Sequence, residues 1–144
     1  MDTYFKTPEI RWSDLDPNFH LRHSVYYDWG ATVRISFMNE HGITPETMRQ
    51  LHIGPIAFRE EALFKREIKF GDTIKVFLHL AKCKPDCSRW TMKHEVWKNN
   101  DTLAAIITLD GAWIDTHLRK LTIPPELFKT GFDAIPKTTD FSLL

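Results

Sequence analysis

Between Asp14 and His23 the chain sets two carboxylates, one carboxamide and two imidazoles: Asp14-Leu15-Asp16-Pro17-Asn18-Phe19-His20-Leu21-Arg22-His23. Such groups attack carbonyls, take up protons, or hold a polarised oxygen. Directly after them Tyr26, Trp29, Val33 and Phe37 recur at spacings of three, four and four. That spacing lays an apolar stripe along one face of a helix. Ser24 is a good N-cap residue, so the helix is expected to start there and run to about Asn39, with Gly42 as its stop. The acidic loop then opens onto a helix N-terminus, whose free amides and partial positive charge stabilise an oxyanion. The backbone amide of His23, at the helix entrance, is the candidate oxyanion donor.

Plainer roles compete for the same residues. Asp14 and Asp16 could simply accept from loop amides, as aspartates in turns do. Asn18 could hold a water or a carbonyl, but turn chemistry explains it equally well. His20 and His23 could polarise a carbonyl, orient Asp16 or bind a metal. Catalytic zinc needs three protein ligands in a fixed arrangement, so no metal is expected here. For His20, loop hydrogen bonding stands beside a substrate contact. Arg34 could reach a phosphate, although an ion pair with a sheet residue fits a mid-helix arginine better. His94 falls on the apolar face of its strand and reads as a satisfied core histidine. Cys83 and Cys87 span a turn without the spacing of a metal knuckle. The chain has no nucleophile elbow, phosphate-binding loop or dinucleotide fingerprint.

The elements that must position the loop follow from periodicity. Residues 3–12 read as a first strand, confined to an edge by Pro8. After the helix, Thr44 opens one helical turn at Pro45–Leu51. From Phe58 the period becomes two, with Phe58, Ala62, Phe64, Ile68 and Phe70 on one face and Arg59, Glu61, Lys65, Glu67 and Lys69 on the other. Turns at Gly71-Asp72, Lys84-Pro85-Asp86 and Asn99-Asn100-Asp101 separate further strands, the last at about Thr102–Asp115. That strand is apolar on both faces, as expected for a central strand or a subunit contact. Short turns imply an antiparallel meander. Glu126–Thr130 reads as a helical turn and Asp133–Leu144 as a loose tail.

Composition sets outer bounds. The 144 residues are 42% apolar and 26% charged, which suits one globular domain with a real core. Nineteen Lys plus Arg balance nineteen Asp plus Glu, so general attraction to nucleic acid or to an anionic membrane is not expected. No long apolar run is present, and Met1-Asp2-Thr3-Tyr4-Phe5-Lys6 does not resemble a signal peptide, so a cytoplasmic protein is expected. Two cysteines imply no disulfide framework. Five Trp and ten Phe suit an aromatic core, a buried interface or an apolar tunnel.

A long helix wrapped by an antiparallel sheet of about five strands, and entered through an Asp-bearing loop, resembles the α+β hotdog fold. The loop itself resembles the 4-hydroxybenzoyl-CoA thioesterase-like family of acyl-CoA thioesterases. Their motif carries Asp-x-Asp, Gly-His, a tyrosine, and a helix with Ala and Arg. Asp14, Asp16, His20, Tyr26, Ala31 and Arg34 stand at those places. Ile68-Lys69-Phe70-Gly71-Asp72-Thr73-Ile74 is similar to the family's strand–turn–strand, and the likeness spans about residues 4–120.

The resemblance implies one hotdog domain over 1–132 with a tail at 133–144. It implies an acyl-CoA or acyl-carrier thioester as substrate, with coenzyme A as part of that substrate and no separate cofactor. Asp16 would be the catalytic carboxylate, attacking the thioester or activating a water. Asn18, His20 and Tyr26 would be substrate contacts, and the assembly a homodimer or dimer of dimers. The chain departs from the pattern at Phe19, where the family usually has glycine, and at Arg22-His23, where two asparagines are frequent. A bulky Phe19 is expected to narrow the approach to the loop. Two alternatives remain open: a non-catalytic acyl-CoA-binding module, and a hotdog dehydratase or hydratase. The Asp-x-Asp loop argues against the latter.

Overall fold

A computed structural model describes residues 3–144; Met1 and Asp2, the start of the N-terminal stretch read above, lie outside them. The long helix α1 runs His23–Glu40 and the short helix α2 runs Pro45–Leu51. The sheet strands are β1 (Phe5–Lys6), β2 (Ile53–Phe64), β3 (Ile74–Phe77), β4 (His79–Cys83), β5 (Arg89–Lys98), β6 (Thr102–Asp115), β7 (Lys120–Leu121) and β8 (Lys137–Leu143), with α3 (Glu126–Asp133) before β8. All pairings are antiparallel except that of β4 with β8. Crossing the sheet gives β2–β6–β5–β3–β1 at one end and β4 with β8 at the other, so β3 and β4 act as one strand interrupted at Leu78. This curled sheet packs around α1, which lies against β3 and β6.

The apolar stripe on α1 does what its spacing requires: Tyr26, Trp29, Val33 and Phe37 are all buried in the single continuous core. Thr44 caps α2, its hydroxyl oxygen accepting from the Thr47 amide at 3.0 Å. β6 is central, bonded to β2 and β5 along most of its length. Asn99 and Asn100 turn β5 into β6 with positive φ at both residues, the backbone of a tight hairpin. Part of the aromatic surplus gathers within this core, where Trp113 meets Trp90, Phe128 and Phe132 at centroid distances of 6.2, 4.8 and 5.7 Å.

Several expectations are corrected. The first strand shrinks to Phe5–Lys6, and Trp12–Asp14 is a turn of 3-10 helix. The helix begins one residue before Ser24: Arg22 is its N-cap and gives no side-chain cap bond. β2 starts at Ile53, earlier than the alternation suggested, and ends at Phe64; of its expected apolar face and the continuation to Phe70, only Ile68 is buried. Phe58, Phe64 and Phe70 are exposed. The tail is not loose: Lys137–Leu143 pairs along β4, and the Leu144 amide donates to the Cys83 carbonyl at 3.0 Å.

Candidate active site

The Asp14–Arg22 loop is folded back on itself and tied to the strand end beside it. The Asp16 amide donates to the His20 carbonyl at 2.8 Å and the Phe19 amide to the Asp16 carbonyl at 2.9 Å. Asp16 Oδ1 accepts the amides of Asn18 and His20 at 2.8 and 3.1 Å. The Leu21 amide donates to the Ile68 carbonyl at 2.8 Å, and His20 bridges to Lys69. The second oxygen, Oδ2, has no hydrogen-bond partner among the described residues. Asp16 therefore plays the turn-forming role and keeps one carboxylate oxygen free.

Asp16 lines a cleft of about 530 Å³ with His20, His23, Tyr26, Phe64 and Lys65. The first turn of α1 opens here. Among the described residues the His23 and Ser24 amides find no acceptor, and no side chain caps them. Tyr26 sits against Phe64 edge to face, with centroids 5.0 Å apart. Its hydroxyl makes no hydrogen bond among the described residues, and burial, with the Asp16 charge second, pushes its pKa up to about 12. Tyr26 is therefore a neutral donor at the cleft wall.

The other candidates separate. Asp14 is buried under Arg11, whose Nη2 stands 2.8 Å from Oδ1, and this hydrogen bond holds the carboxyl below its ordinary range. It braces the loop and does not line the cleft. His20 points its Nε2 at Glu67, 2.7 Å away, and both residues line the cleft. Asn18 contributes its backbone to the turn and is absent from the cleft wall. Among the described residues no group of three His, Cys, Asp or Glu is arranged to hold a metal ion. Cys83 and Cys87 are free thiols with sulfurs 3.5 Å apart.

Phe19 stands exposed on the loop. It takes φ 64, the left-handed conformation that glycine adopts freely, so the backbone follows the glycine pattern. Its ring packs toward Trp12, with centroids 6.4 Å apart, and is not part of the cleft wall. Periodicity missed the opposite wall, Phe64 to Glu67. The signal was present: Arg66 falls on the apolar parity of that strand, a polar residue where a continuing strand would bury an apolar one.

A model of the thioesterase-like superfamily matches residues 10–131. The chain belongs to that superfamily. No curated protein sequence matches the chain. Among solved structures, it is similar to a Staphylococcus aureus protein in complex with CoA, at 21% identity and TM-score 0.86, covering 96% of this chain and 89% of that one. It is also similar to a DHNA-CoA thioesterase from S. aureus, at 19% identity and TM-score 0.80, with coverage of 93% and 89%. A third is a 1,4-dihydroxy-2-naphthoyl-CoA thioesterase from Synechocystis, at 13% identity and TM-score 0.82, with coverage of 92% and 97%. At these identities the likeness is one of fold, and it establishes the hotdog architecture. No helix is long and apolar enough to cross a membrane among the described residues.

Proposed function

We propose that this member of the thioesterase-like superfamily hydrolyses acyl-CoA thioesters at Asp16. The observation that carries the reading is the free Oδ2 of Asp16 in a cleft that also holds an uncapped helix N-terminus. In this scheme the thioester carbonyl oxygen accepts from the His23 amide as negative charge develops on it. Asp16 Oδ2 either attacks the carbonyl carbon or takes a proton from a water that does. The carbon–sulfur bond breaks, the thiol leaves as CoA, and water's oxygen ends in the free acid. The Tyr26 hydroxyl donates from the side wall. Lys65 and Arg66, on the far wall, supply positive charge for the CoA phosphates.

Support also comes from the family match and from a fold neighbour in complex with CoA. The two free thiols suit a cytoplasmic setting. Two departures keep a non-catalytic binding module open, Phe19 and Arg22-His23; of these the Phe19 ring stands outside the cleft wall, while His23 lines it. A panel of acyl-CoA esters read by free-thiol release tests the proposal. Turnover that disappears in Asp16→Asn is expected; a panel untouched by the wild type would refute it.

The reading includes a homo-oligomer, a dimer or dimer of dimers, formed through β2. Among the described residues β2 is bonded on one edge only, and its Phe58, Leu63 and Phe64 stand exposed. Phe64 also lines the Asp16 cleft, so a partner seated on β2 would complete the cleft wall.

A further inference from the structure

Cys83 closes β4, and Cys87 stands in the turn that leads to β5. Their sulfurs lie 3.5 Å apart, and the residues are only 6% and 2% exposed. Buried cysteines are ordinarily inert packing groups. The backbone around this pair is not ordinary. Cys83 is held on both sides, paired with Trp90 of β5 and Leu143 of β8. Cys87 takes φ 67, a left-handed conformation that is costly for a residue with a Cβ. The turn keeps it there. The Cys87 amide donates to the Lys84 carbonyl at 2.9 Å, and Asp86 Oδ1 accepts from the Ser88 amide and hydroxyl at 2.9 and 2.6 Å. A strained backbone thus holds one thiol against the other.

A fixed cation accompanies the pair. Lys137 Nζ donates to the carbonyls of Phe132, Asp133 and Ile135 at 3.3, 2.9 and 2.6 Å, so all its hydrogens are committed and its charge is anchored at the end of α3. The two sulfurs are not equivalent. A hydrogen bond donated by Cys87 to the Cys83 sulfur, with the Lys137 charge behind it, holds the Cys83 thiol below its ordinary range against the cost of burial. The Asp133 and Asp86 carboxylates act the other way, more weakly. The same bond and burial push the Cys87 thiol up, with Lys129 opposing. Cys83 therefore carries the thiolate character that makes a sulfur attack, and Cys87 keeps its proton.

We propose that Cys83 and Cys87 form a redox switch that a small peroxide closes, with Cys83 attacking and Cys87 resolving. The Cys83 thiolate attacks one peroxide oxygen and the O–O bond breaks. The departing hydroxide takes up the proton that Cys83 released and leaves as water, and Cys83 becomes a sulfenic acid. The Cys87 sulfur then attacks the Cys83 sulfur, the S–O bond breaks, and the hydroxyl leaves with the Cys87 proton as a second water. Two thiols lose two electrons, the peroxide gains two, and one disulfide forms. A peroxide is small and neutral, which suits sulfurs this deeply buried. The sulfurs must close from 3.5 Å to bonding distance, about 2.05 Å. β4 is bonded on both sides, so the turn carries the movement. Its Lys84, Ser88 and Arg89 border a groove with Leu121, Thr122 and Ile123, which closure reshapes. In a reducing compartment low-molecular thiols reopen the pair. Neither cysteine lines the Asp16 cleft, so the switch stands apart from the thioesterase reading.

The test is titration of the folded wild type with hydrogen peroxide, read by intact mass, peptide mapping and amide hydrogen exchange. Stoichiometric peroxide should remove the mass of two hydrogens and join Cys83 to Cys87, and dithiothreitol should restore both thiols. Exchange across Lys84–Arg89 should slow in the closed form, because the cross-link restrains the turn. Cys87→Gly suits the left-handed backbone and should leave Cys83 as a sulfenic acid that dimedone traps. Cys83→Ala should leave Cys87 unmodified under the same conditions. If either variant fails to fold, dimedone added to the wild type together with peroxide should mark Cys83 and not Cys87. Four outcomes would each overturn the switch: thiols that persist in the folded protein under peroxide that closes the pair in urea, dimedone on Cys87, oxygen added to the cysteines without a cross-link, or a cross-link that leaves exchange of the turn unchanged.

Discussion

Asp16 and His20 are tied together twice: the Asp16 amide donates to the His20 carbonyl at 2.8 Å, and the His20 amide donates back to Asp16 Oδ1 at 3.1 Å. One carboxylate oxygen thus holds the loop while the other has no hydrogen-bond partner among the described residues. The two readings of this aspartate, turn-former and catalyst, describe its two oxygens.

Asp16→Asn tests the division. An asparagine Oδ1 can still accept the Asn18 and His20 amides, so the loop should keep its shape. The negative charge needed to attack, or to take a proton from water, is lost. Thioester hydrolysis should fall by at least about a hundredfold, the low end for removing a general base, with acyl-CoA binding retained. Asp14→Asn is the comparison. Asp14 is buried under Arg11 and away from the cleft, so its loss should cost stability and much less turnover. Turnover abolished by Asp14→Asn and spared by Asp16→Asn would show the wrong carboxylate has been chosen.

Trp29 lies under the sheet with Val33 and Phe37, its ring tilted against that of Tyr26. Trp29→Ala should destabilise by about 3–5 kcal/mol, the cost of emptying a buried aromatic site. Chemical denaturation measures it. A loss below about 1 kcal/mol, the size of a surface change, would mean this face of the helix is not packed as described.

The sequence made α1, α2 and the central strand legible because each carries a local signal: a helical stripe at Tyr26–Phe37, a Thr-Pro start at Thr44, and apolar residues on both faces of Thr102–Asp115. What it hid depends on long-range partners. Ser24 looked like the cap because its side chain suits one, but the Arg22 amide bonds back to the Asp14 carbonyl and starts the helix earlier. The tail looked loose because its partner, β4, lies more than fifty residues away in the chain. Phe58 and Phe64 looked like core because alternation marks apolar faces without saying what covers them. Asp16, His23 and Tyr26 were found as a set because they are near in sequence; Phe64, Lys65 and Arg66 reach the same cleft from another strand end.

Phe19 keeps a conformation that costs a residue with a Cβ roughly 1–2 kcal/mol. Phe19→Gly removes that strain but adds chain entropy to the unfolded state, so stability should change by less than about 1 kcal/mol. Because the ring is outside the cleft, KM for acyl-CoA should stay within about threefold of the wild type, below the effect of one lost hydrogen bond. Phe19→Val, stiff at Cβ in the same conformation, should be the less stable variant. A large fall in KM on opening position 19 to glycine would show that the phenylalanine does obstruct the cleft.

His94 gives a pH signature. Burial, with the Arg34 charge second, pushes its pKa from 6.5 down to about 3. Between those values the unfolded chain binds a proton that the folded chain refuses. The folded state is thus favoured in full above about pH 6.5, and the contribution is lost as pH falls toward about 3. The fall should amount to several kcal/mol across that window. The buried Asp14 carboxyl, also held down, adds its loss only below the ordinary value of 3.8. Urea unfolding at stepped pH values between 7 and 4 isolates the histidine from that carboxyl. His94→Gln, which keeps an acceptor for Arg34, should flatten the slope there; an unchanged slope would place the acid sensitivity elsewhere.

The open edge of β2 bears on assembly. Its hydrogen-bonding groups face outward on the side away from β6, and Phe58 and Phe64 stay 49% and 53% exposed in the single chain. Exposed aromatic side chains beside an unpaired strand edge are an aggregation hazard unless a partner covers them. A second copy paired along β2 would cover both the edge and the aromatics. The wild type should therefore sediment as a dimer, or as a dimer of dimers, at micromolar concentration. Leu63→Asp puts a charge on the same strand, should shift the mass toward the monomer, and should lower turnover because the neighbouring Phe64 lines the Asp16 cleft. A monomeric wild type would remove the assembly from the proposed function, and with it the idea that a partner finishes the cleft wall.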